Sequence, residues 1–139
     1  MIVLDTNVLS ELLRAVPEPA VVRWTASQPL NTIFTTTVTQ AEMLYGVKLL
    51  PAGQRRHQLE EAVSTLFEED FVGRVLSFYS EAAAAYARIA AERKRTGRPI
   101  SQFDSQIAAM AQSRGGHLAT RNVDDFEGCG LHIVNPWQP

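Results

Sequence analysis

The sequence has only one cysteine, Cys129, among its 139 residues. A lone cysteine cannot form a disulfide within the chain and cannot supply a cysteine-based zinc site. A chain of this length buries about 70% of its unfolded surface without such crosslinks. Stability is therefore expected to come from one packed hydrophobic core, and the cysteine content suits a reducing cytosol.

Long hydrophobic runs, a leader and an excess of charge are also missing. No run of about 18 apolar residues occurs, as a membrane span would need. The N-terminus, MIVLDTNVL, shows neither a basic leader nor a small-residue cleavage site. The formal net charge of −2 is too small for the whole surface to attract nucleic acid, so such binding needs a local patch. These absences predict a cytoplasmic protein with no membrane partner.

What is present is an alternation of short apolar runs and helical patterns. With 45% hydrophobic and 20% charged residues, residues 1–139 are expected to form a single globular domain. Strands are predicted at 2–4, 32–36, 75–78, 117–120 and 131–134. Helices are predicted at 8–14, 20–27, 38–50, 54–69, 80–96 and 101–114. This order predicts an α/β fold, with a central, mostly parallel sheet flanked by helices and a site at the carboxyl ends of the strands.

Three acids fall near those strand ends. Asp5 closes the first strand, while Glu42 and Asp104 are each predicted in the first turn of a helix. Carboxylates brought together without histidine or thiol suit a hard divalent cation, and Mg²⁺ is the usual ion where phosphate is the substrate. Such an ion can generate hydroxide from water and orient it for attack on a phosphodiester.

A purely structural interpretation of each acid is also available. Thr39 to Glu42 and Ser101 to Asp104 both match the capping box, in which the acid satisfies a backbone amide. Asp5 is equally placed to cap the first helix. For any one acid considered alone, this structural role is the preferred interpretation. Only the joint placement of the three acids favours a metal site.

Several stretches resemble one family along the whole chain. The opening MIVLDTNVLSE is similar to the start of PIN domains, particularly VapC-type toxins and their FitB-like branch. Residues 37–46, TVTQAEMLYG, resemble that family's helix with the second acid, and 103–109, FDSQIAA, resemble its helix with the third. Residues 118–126, LATRNVDDF, and 134–137, VNPW, are similar to its last strand, loop and terminus.

The resemblance implies a magnesium-dependent endoribonuclease toxin, with Mn²⁺ as a substitute ion. It implies metal ligation by Asp5 and Asp104, and support from Glu42 either directly or through water. It also implies that three polar residues help to position the groups of the metal site: Thr6, Asn7 and Thr120.

One position departs from the family pattern. Many PIN domains carry a fourth acid where this chain has Asn122, whose amide can ligate a cation but brings no charge. Asp125, three residues later, is a candidate to compensate for it. One-ion and two-ion chemistry therefore both stay open.

The resemblance also implies partners. It predicts an RNA substrate, self-association as a homodimer, and neutralisation by a VapB-like antitoxin whose segment lies along the acidic crevice. An antitoxin arginine among the carboxylates would compete with the cation through charge-assisted pairing. The alternative function is a catalytically degenerate PIN domain acting as an RNA- or protein-binding module, which Asn122 favours most.

Other chemistries have less support. A haloacid-dehalogenase-type phosphatase needs a second acid where Asn7 stands. The histidines, His57, His117 and His132, are interpreted as structural or exposed, and neither Ser10 nor Cys129 has a neighbouring base that would make it a nucleophile.

Basic and aromatic side chains are each open to two interpretations. The cluster from Glu92 to Arg98, with Arg93, Lys94 and Arg95, either steers RNA or forms a solvated helix end, and the second interpretation is preferred. The smaller cluster at 55–57 faces the same choice. Trp24, Leu44 and Tyr45 are assigned to the core by default, with an interface as the alternative.

Overall fold

A computed structural model describes all 139 residues, with five short strands and six α-helices. The strands are β1 (Ile2–Leu4), β2 (Ile33–Thr36), β3 (Val75–Leu76), β4 (His117–Ala119) and β5 (Ile133–Val134). The helices are α1 (Thr6–Leu12), α2 (Pro19–Ser27), α3 (Thr37–Lys48), α4 (Gln54–Thr65), α5 (Ser80–Arg95) and α6 (Gln102–Ser113). A π-helical segment, Leu66–Asp70, extends α4, and 3-10 turns lie at Leu30–Thr32 and Val123–Phe126. No helix is both long enough and apolar enough to cross a membrane.

The strands form one parallel sheet in the order β3-β2-β1-β4-β5. From the central β1 the chain runs outward through β2 and β3 on one side, and β4 and β5 later fill the other side. In open α/β sheets, ligands bind outside the carboxyl ends of the strands where the order reverses in this way. The predicted α/β fold is confirmed, and Asp5 stands at this point of reversal.

Both faces of the sheet are covered by helices. Val3 and Leu118 point into a core layer that α5 and α6 complete, whereas the next residues, Leu4 and Ala119, point into the layer built with α1, α3 and α4. Successive side chains of a strand face opposite sides, so burial on both faces requires the unbroken apolar runs seen in the sequence.

The predicted elements all occur, with shifted ends that have local causes. Helix α1 begins at Thr6 rather than Val8, because the Asp5 carboxylate caps it by accepting a hydrogen bond from Thr6 N at 2.8 Å. Strand β3 ends at Leu76 rather than Phe78, because its partner β2 ends at Thr36, the residue paired with Leu76.

The buried face of α3 differs from the prediction. Leu44 and Tyr45 are 41% and 66% exposed, so their assignment to the core is wrong, whereas Trp24 packs partly buried against the core. The buried stripe of α3 is Thr39, Met43 and Val47. These residues follow one another at intervals of four positions. Because Thr39 is polar, a count of apolar side chains along α3 predicts the wrong buried face.

Candidate active site

Asp5 is a buried carboxylate at the point where β1 ends. Its backbone amide continues the β1–β4 ladder by donating to Ala119 O at 2.9 Å, and the residue is 4% exposed. Thr6 N donates to Asp5 Oδ1 at 2.8 Å, and Thr120 Oγ1 donates to Asp5 Oδ2, also at 2.8 Å. No Lys, Arg or His forms an ion pair with it. A buried carboxylate without a counter-ion is costly, so this position suits a bound cation.

The environment of Asp5 disfavours its charged form. Burial raises the pKa of Asp5 from 3.8 to about 6, against the opposing hydrogen bonds from Thr120 and Thr6. The negative charges of Asp104 and Glu42 raise the same pKa further. A cation at this position would reverse the effect by stabilising the ionised carboxylate.

Glu42 does not cap a helix. Helix α3 is capped by Thr36, whose Oγ1 accepts from Thr39 N at 3.0 Å, so Glu42 lies in the second turn and the predicted capping box is wrong. A residue before the helix took the capping role, which leaves the Glu42 carboxylate free to point into the site. Glu42 Oε1 accepts a hydrogen bond from Thr6 Oγ1 at 2.8 Å. Burial raises the pKa of Glu42, and the charge of Asp104 adds to the rise.

Asp104 lies in the first turn of α6, as predicted. Ser101 caps this helix, and its Oγ accepts from Asp104 N at 3.2 Å. The cap therefore uses the backbone amide of Asp104. Burial is the main cause that raises the pKa of this carboxyl group, Asp125 raises it as well, and Ser101 and Arg93 act in the opposite direction.

The three acids are electrostatic neighbours. Glu42 lies beside the end of β1 because it accepts a hydrogen bond from Thr6, the residue after Asp5. The negative charge of Asp104 raises the pKa of both Asp5 and Glu42. No three of the chain's His, Cys, Asp and Glu side chains are grouped closely enough to enclose an ion by themselves. Mg²⁺ typically takes one or two carboxylates and keeps several of its waters. The oxygen donors beside the buried Asp5, its own carboxylate and that of Glu42, are of the chemical type that Mg²⁺ prefers.

Asn7 and Thr120 orient Asp5. Asn7 Nδ2 donates to Asp5 Oδ2 at 3.3 Å and to Thr120 Oγ1 at 3.2 Å, while its Oδ1 accepts from Arg121 N at 3.2 Å. Thr120 is fully buried, and its Oγ1 also accepts from Asn122 N at 3.1 Å. These bonds tie the end of β1 to the chain just beyond β4.

Asn122 and Asp125 occupy the loop after β4. Asn122 uses its backbone amide in the contact with Thr120, and its side chain is exposed and makes no hydrogen bond within the protein. Asp125 is an exposed residue of the 3-10 turn Val123–Phe126, and its charge raises the pKa of Asp104. Of the two, Asp125 is the residue that adds negative charge to the neighbourhood of Asp104.

The basic cluster at the end of α5 is not simply a solvated helix end. Lys94 and Arg95 are exposed, but Arg93 is only 6% exposed and donates to backbone carbonyls of the loop after β4. The preferred interpretation is therefore wrong for Arg93. The sequence around Arg93 gives no sign that its side chain is buried, because long charged side chains in a charged run are usually exposed. The carbonyl groups that bind Arg93 belong to a loop about thirty residues later.

The histidines and the cysteine form no hydrogen bond or ion pair with Asp5, Glu42 or Asp104. His57 pairs with Glu61 along α4, and His117 and His132 place their rings 4.7 Å apart at the start of β4 and just before β5. The last two are therefore neighbours, although their sequence contexts are unrelated. Cys129 is buried, and burial raises the pKa of its thiol, which makes it a poor nucleophile.

A separate apolar groove of about 790 Å³ lies among α1, α3 and α4. Leu13, Val47 and Leu59 contribute to its apolar lining, and Arg14 and Arg55 are its charged residues. None of the three acids lines it. This groove is thus distinct from the acidic edge.

Replacing Thr120 tests whether the site depends on the orientation of Asp5. Thr120→Val removes the hydroxyl that donates to Asp5 Oδ2, so the pKa of Asp5 should rise further and Mg²⁺ affinity should fall about tenfold, as for other residues that orient metal ligands. Isothermal titration with Mg²⁺ measures the change, and Thr120→Ser, which keeps the hydroxyl, is the matched control. Equal affinities for the valine and serine variants would show that this hydrogen bond is dispensable.

Comparisons with known proteins identify the family of this chain. The PIN domain family model matches residues 2–128. The VapC ribonuclease Y4jK of Sinorhizobium fredii is 41% identical over 139 residues, covering 100% of this chain and 99% of that protein. The toxin FitB of Neisseria gonorrhoeae is 38% identical over 137 residues, covering 99% of each. A solved structure of FitAB bound to a DNA fragment is similar with a TM-score of 0.93 at 38% identity, covering 100% of this chain and 97% of that chain.

Proposed function

This chain belongs to the PIN-domain family, and we propose that it is a metal-dependent endoribonuclease, the toxin of a VapBC-type toxin–antitoxin pair. The observation that carries the proposal is the buried Asp5, without a cationic partner, beside Glu42 and Asp104 at the edge where the strand order reverses. A VapC ribonuclease aligned over the whole chain supports the same activity. We take residues 1–139 to be one PIN domain.

In this proposal, Asp5 and Asp104 hold the ion, with Mg²⁺ expected and Mn²⁺ as a substitute, and Glu42 supports it directly or through water. When bound, the ion supplies an activated water and stabilises the charge that develops on the phosphodiester. Thr120 and Asn7 hold the Asp5 carboxylate in one orientation, and Thr6 does the same for Glu42. Because burial raises the pKa of Glu42, its carboxylate is a better proton acceptor than an exposed glutamate.

The proposed partners are an RNA substrate and a VapB-like antitoxin. FitB, a relative along the whole chain, is called a toxin and is the second member of the FitAB structure. We also propose a homodimer, which the exposed Leu44 and Tyr45 on α3 support as apolar side chains that the fold itself does not cover. We also propose a cytoplasmic location, because the proposed substrate is RNA.

The activity is tested by incubating antitoxin-free protein with total cellular RNA, with Mg²⁺ or with a chelator. We expect discrete cleavage products in Mg²⁺, none with the chelator, and none from Asp104→Asn, a variant that keeps the backbone cap with Ser101. Circular dichroism checks that the variant is folded. If the folded wild type binds Mg²⁺ but cuts no RNA, the protein is instead a degenerate PIN domain that binds RNA or protein.

A further inference from the structure

A small polar pocket of about 420 Å³ lies beside the acidic edge. Pockets that hold small ligands begin at about 300 Å³, so this one has room for a single small group. Its residues follow β4 and β5, and because β1, β4 and β5 are neighbouring parallel strands, the residues after them meet at the edge where Asp5 stands. The polar lining consists of Arg121, Asn122, Asp124, Asp125, Asn135 and Gln138.

The main chain around this pocket is joined to Asp5 by hydrogen bonds. Asn122 N donates to Thr120 Oγ1 at 3.1 Å, and the same hydroxyl donates to Asp5 Oδ2 at 2.8 Å. Thr120 N donates to Val134 O at 2.9 Å, which holds the end of β5 against the loop after β4. The pocket therefore has a fixed position relative to the candidate cation site.

Three amide side chains in the pocket keep most of their hydrogen-bonding capacity. Asn122 and Gln138 are exposed, and their side-chain amides make no hydrogen bond within the protein. Asn135 Oδ1 accepts from Trp137 N at 3.0 Å, and its amide nitrogen is unbonded. An amide presents a donor and an acceptor side by side, which matches the N6 and N7 edge of adenine. These side chains are therefore suited to bind the edge of a nucleobase.

Arg121 adds a flat surface to the same pocket. Its guanidinium carbon lies 5.1 Å from the centre of the Trp137 ring, and its side chain forms no ion pair with a carboxylate. Unpaired RNA bases stack on guanidinium planes as they do on aromatic rings. Because Arg121 is exposed, the face of its guanidinium away from Trp137 is open to such a base.

The charges of the pocket disfavour a phosphate group. The lining has one cation, Arg121, and two exposed acids, Asp124 and Asp125, neither of which forms an ion pair. A phosphate would be repelled by both acids, whereas a base is uncharged and carries hydrogen-bonding groups. The pocket is therefore better suited to a base than to the RNA backbone.

We propose that Arg121, Asn122, Asn135 and Gln138 form a pocket for one unpaired base of the RNA, with adenine as the best match, beside the phosphodiester that is cut. The base stacks on the Arg121 guanidinium, and the amides bind its edge. The inference rests on the proposed function for the presence of RNA. It supplies a source of sequence preference, which contacts to the RNA backbone cannot give.

Binding of nucleosides tests the pocket without catalysis. Adenosine, guanosine, cytidine and uridine are titrated into the protein with a chelator present, and the side-chain amide resonances of Asn122, Asn135 and Gln138 are followed by NMR. We expect adenosine to shift these resonances and to bind about tenfold more tightly than uridine, as one good bidentate base contact allows. Asn122→Ala and Gln138→Ala should each remove most of this preference. Uridine that binds as tightly as adenosine would overturn the inference.

Two further variants separate base stacking from charge. Arg121→Lys keeps the positive charge but lacks the flat guanidinium, so adenosine binding should weaken at least about fivefold. Full affinity in this variant would overturn the stacking contact that the inference requires. Asn31→Ala changes an exposed amide just before β2, at the opposite edge of the sheet, and should bind adenosine like the wild type. Thermal unfolding of each variant checks that it is folded.

Cleavage of short single-stranded RNAs distinguishes the inference from the proposed function. The RNAs differ at one position beside the cut and are incubated in Mg²⁺. We expect adenine at one flanking position to raise kcat/KM about tenfold over uracil, and Gln138→Ala to lose this preference. Cleavage without preference at any flanking position would overturn the inference and leave the proposed function standing. Adenosine binding by a folded protein that cuts no RNA would overturn the proposed nuclease activity and support the base pocket.

Discussion

Asp5→Asn is expected to lose most turnover and, at neutral pH without metal, to be more stable than the wild type. Changes to residues that only orient metal ligands cost about 10- to 100-fold, so loss of a ligand's charge should cost at least about a hundredfold. The stability gain arises because Asp5 is buried without a cationic partner, so its charge opposes folding. An amide of the same shape removes that charge.

The size and sign of the gain follow from the pKa of Asp5, which burial raises from 3.8 to about 6. Below pH 3.8 the carboxyl group of Asp5 is protonated in both the folded and the unfolded chain, and its contribution to the free energy of unfolding is fully present. As the pH rises through 6 that contribution is lost, to a limit of about 3 kcal/mol. Because the asparagine amide fits the donors Thr6 N and Thr120 Oγ1 less well, we expect a net gain of about 1–2 kcal/mol.

Urea unfolding at pH 7.5 with a chelator, alongside RNA cleavage in Mg²⁺, measures both effects. Asp124→Asn is the matched control, because Asp124 is an exposed acid in the loop after β4 and should change neither quantity by much. Wild-type turnover by folded Asp5→Asn would remove Asp5 from the mechanism. Equal free energies of unfolding for wild type and Asp5→Asn would contradict the argument from the buried charge.

Cleavage and Mg²⁺ affinity are expected to fall steeply as the pH drops below 6. A metal ligand must be deprotonated, and the pKa of Asp5 is raised to about 6 by burial. At Mg²⁺ concentrations below saturation, the rate should therefore fall about tenfold for each pH unit below that value. The pKa values of Glu42 and Asp104 are also raised by burial, which makes the decrease steeper at lower pH.

The measurement is kcat/KM for RNA cleavage from pH 5 to 8 at a fixed, subsaturating Mg²⁺ concentration. Urea unfolding of the metal-free protein at pH 5 serves as a control, because the Asp5 contribution to stability increases as the pH falls and a loss of rate would not reflect unfolding. Saturating Mg²⁺ should move the break to lower pH, since the ion competes with the proton. A flat profile between pH 5 and 7 would show that Asp5 is not the group whose ionisation limits the site.

Much of the candidate site could be predicted because its residues lie at recognisable ends of elements. Asp5 follows an apolar run, and Ser101 to Asp104 begins a helix, so the sequence predicts both acids at one edge of a parallel sheet. The sequence predicts Glu42 on the correct helix but in a capping role that it does not have, because two threonines, Thr36 and Thr39, both precede it at plausible cap positions. The choice between them depends on where β2 stops.

Contacts between distant segments could not be predicted. Thr120 lies 115 residues from Asp5, and only the pairing of β1 with β4 brings its hydroxyl to Asp5 Oδ2. Arg93 looked like part of a solvated cluster, because the carbonyls that bind it belong to a loop without regular structure. The exposure of Leu44 and Tyr45 could not be predicted either, because these apolar residues lie on the side of α3 that the sheet does not cover.

The order of strands and helices, the parallel sheet and the strand ends at which acids occur can all be predicted from the amino-acid sequence. This is possible because strand and helix periodicity, caps and breakers are local properties, read within a few residues of one another. Long-range packing sets which face of α3 is buried, which donors orient Asp5 and which carbonyl groups Arg93 binds. These contacts join groups that lie far apart in the chain. They form only when packing removes the groups from water, because a buried polar atom without a hydrogen-bond partner raises the free energy of the folded state.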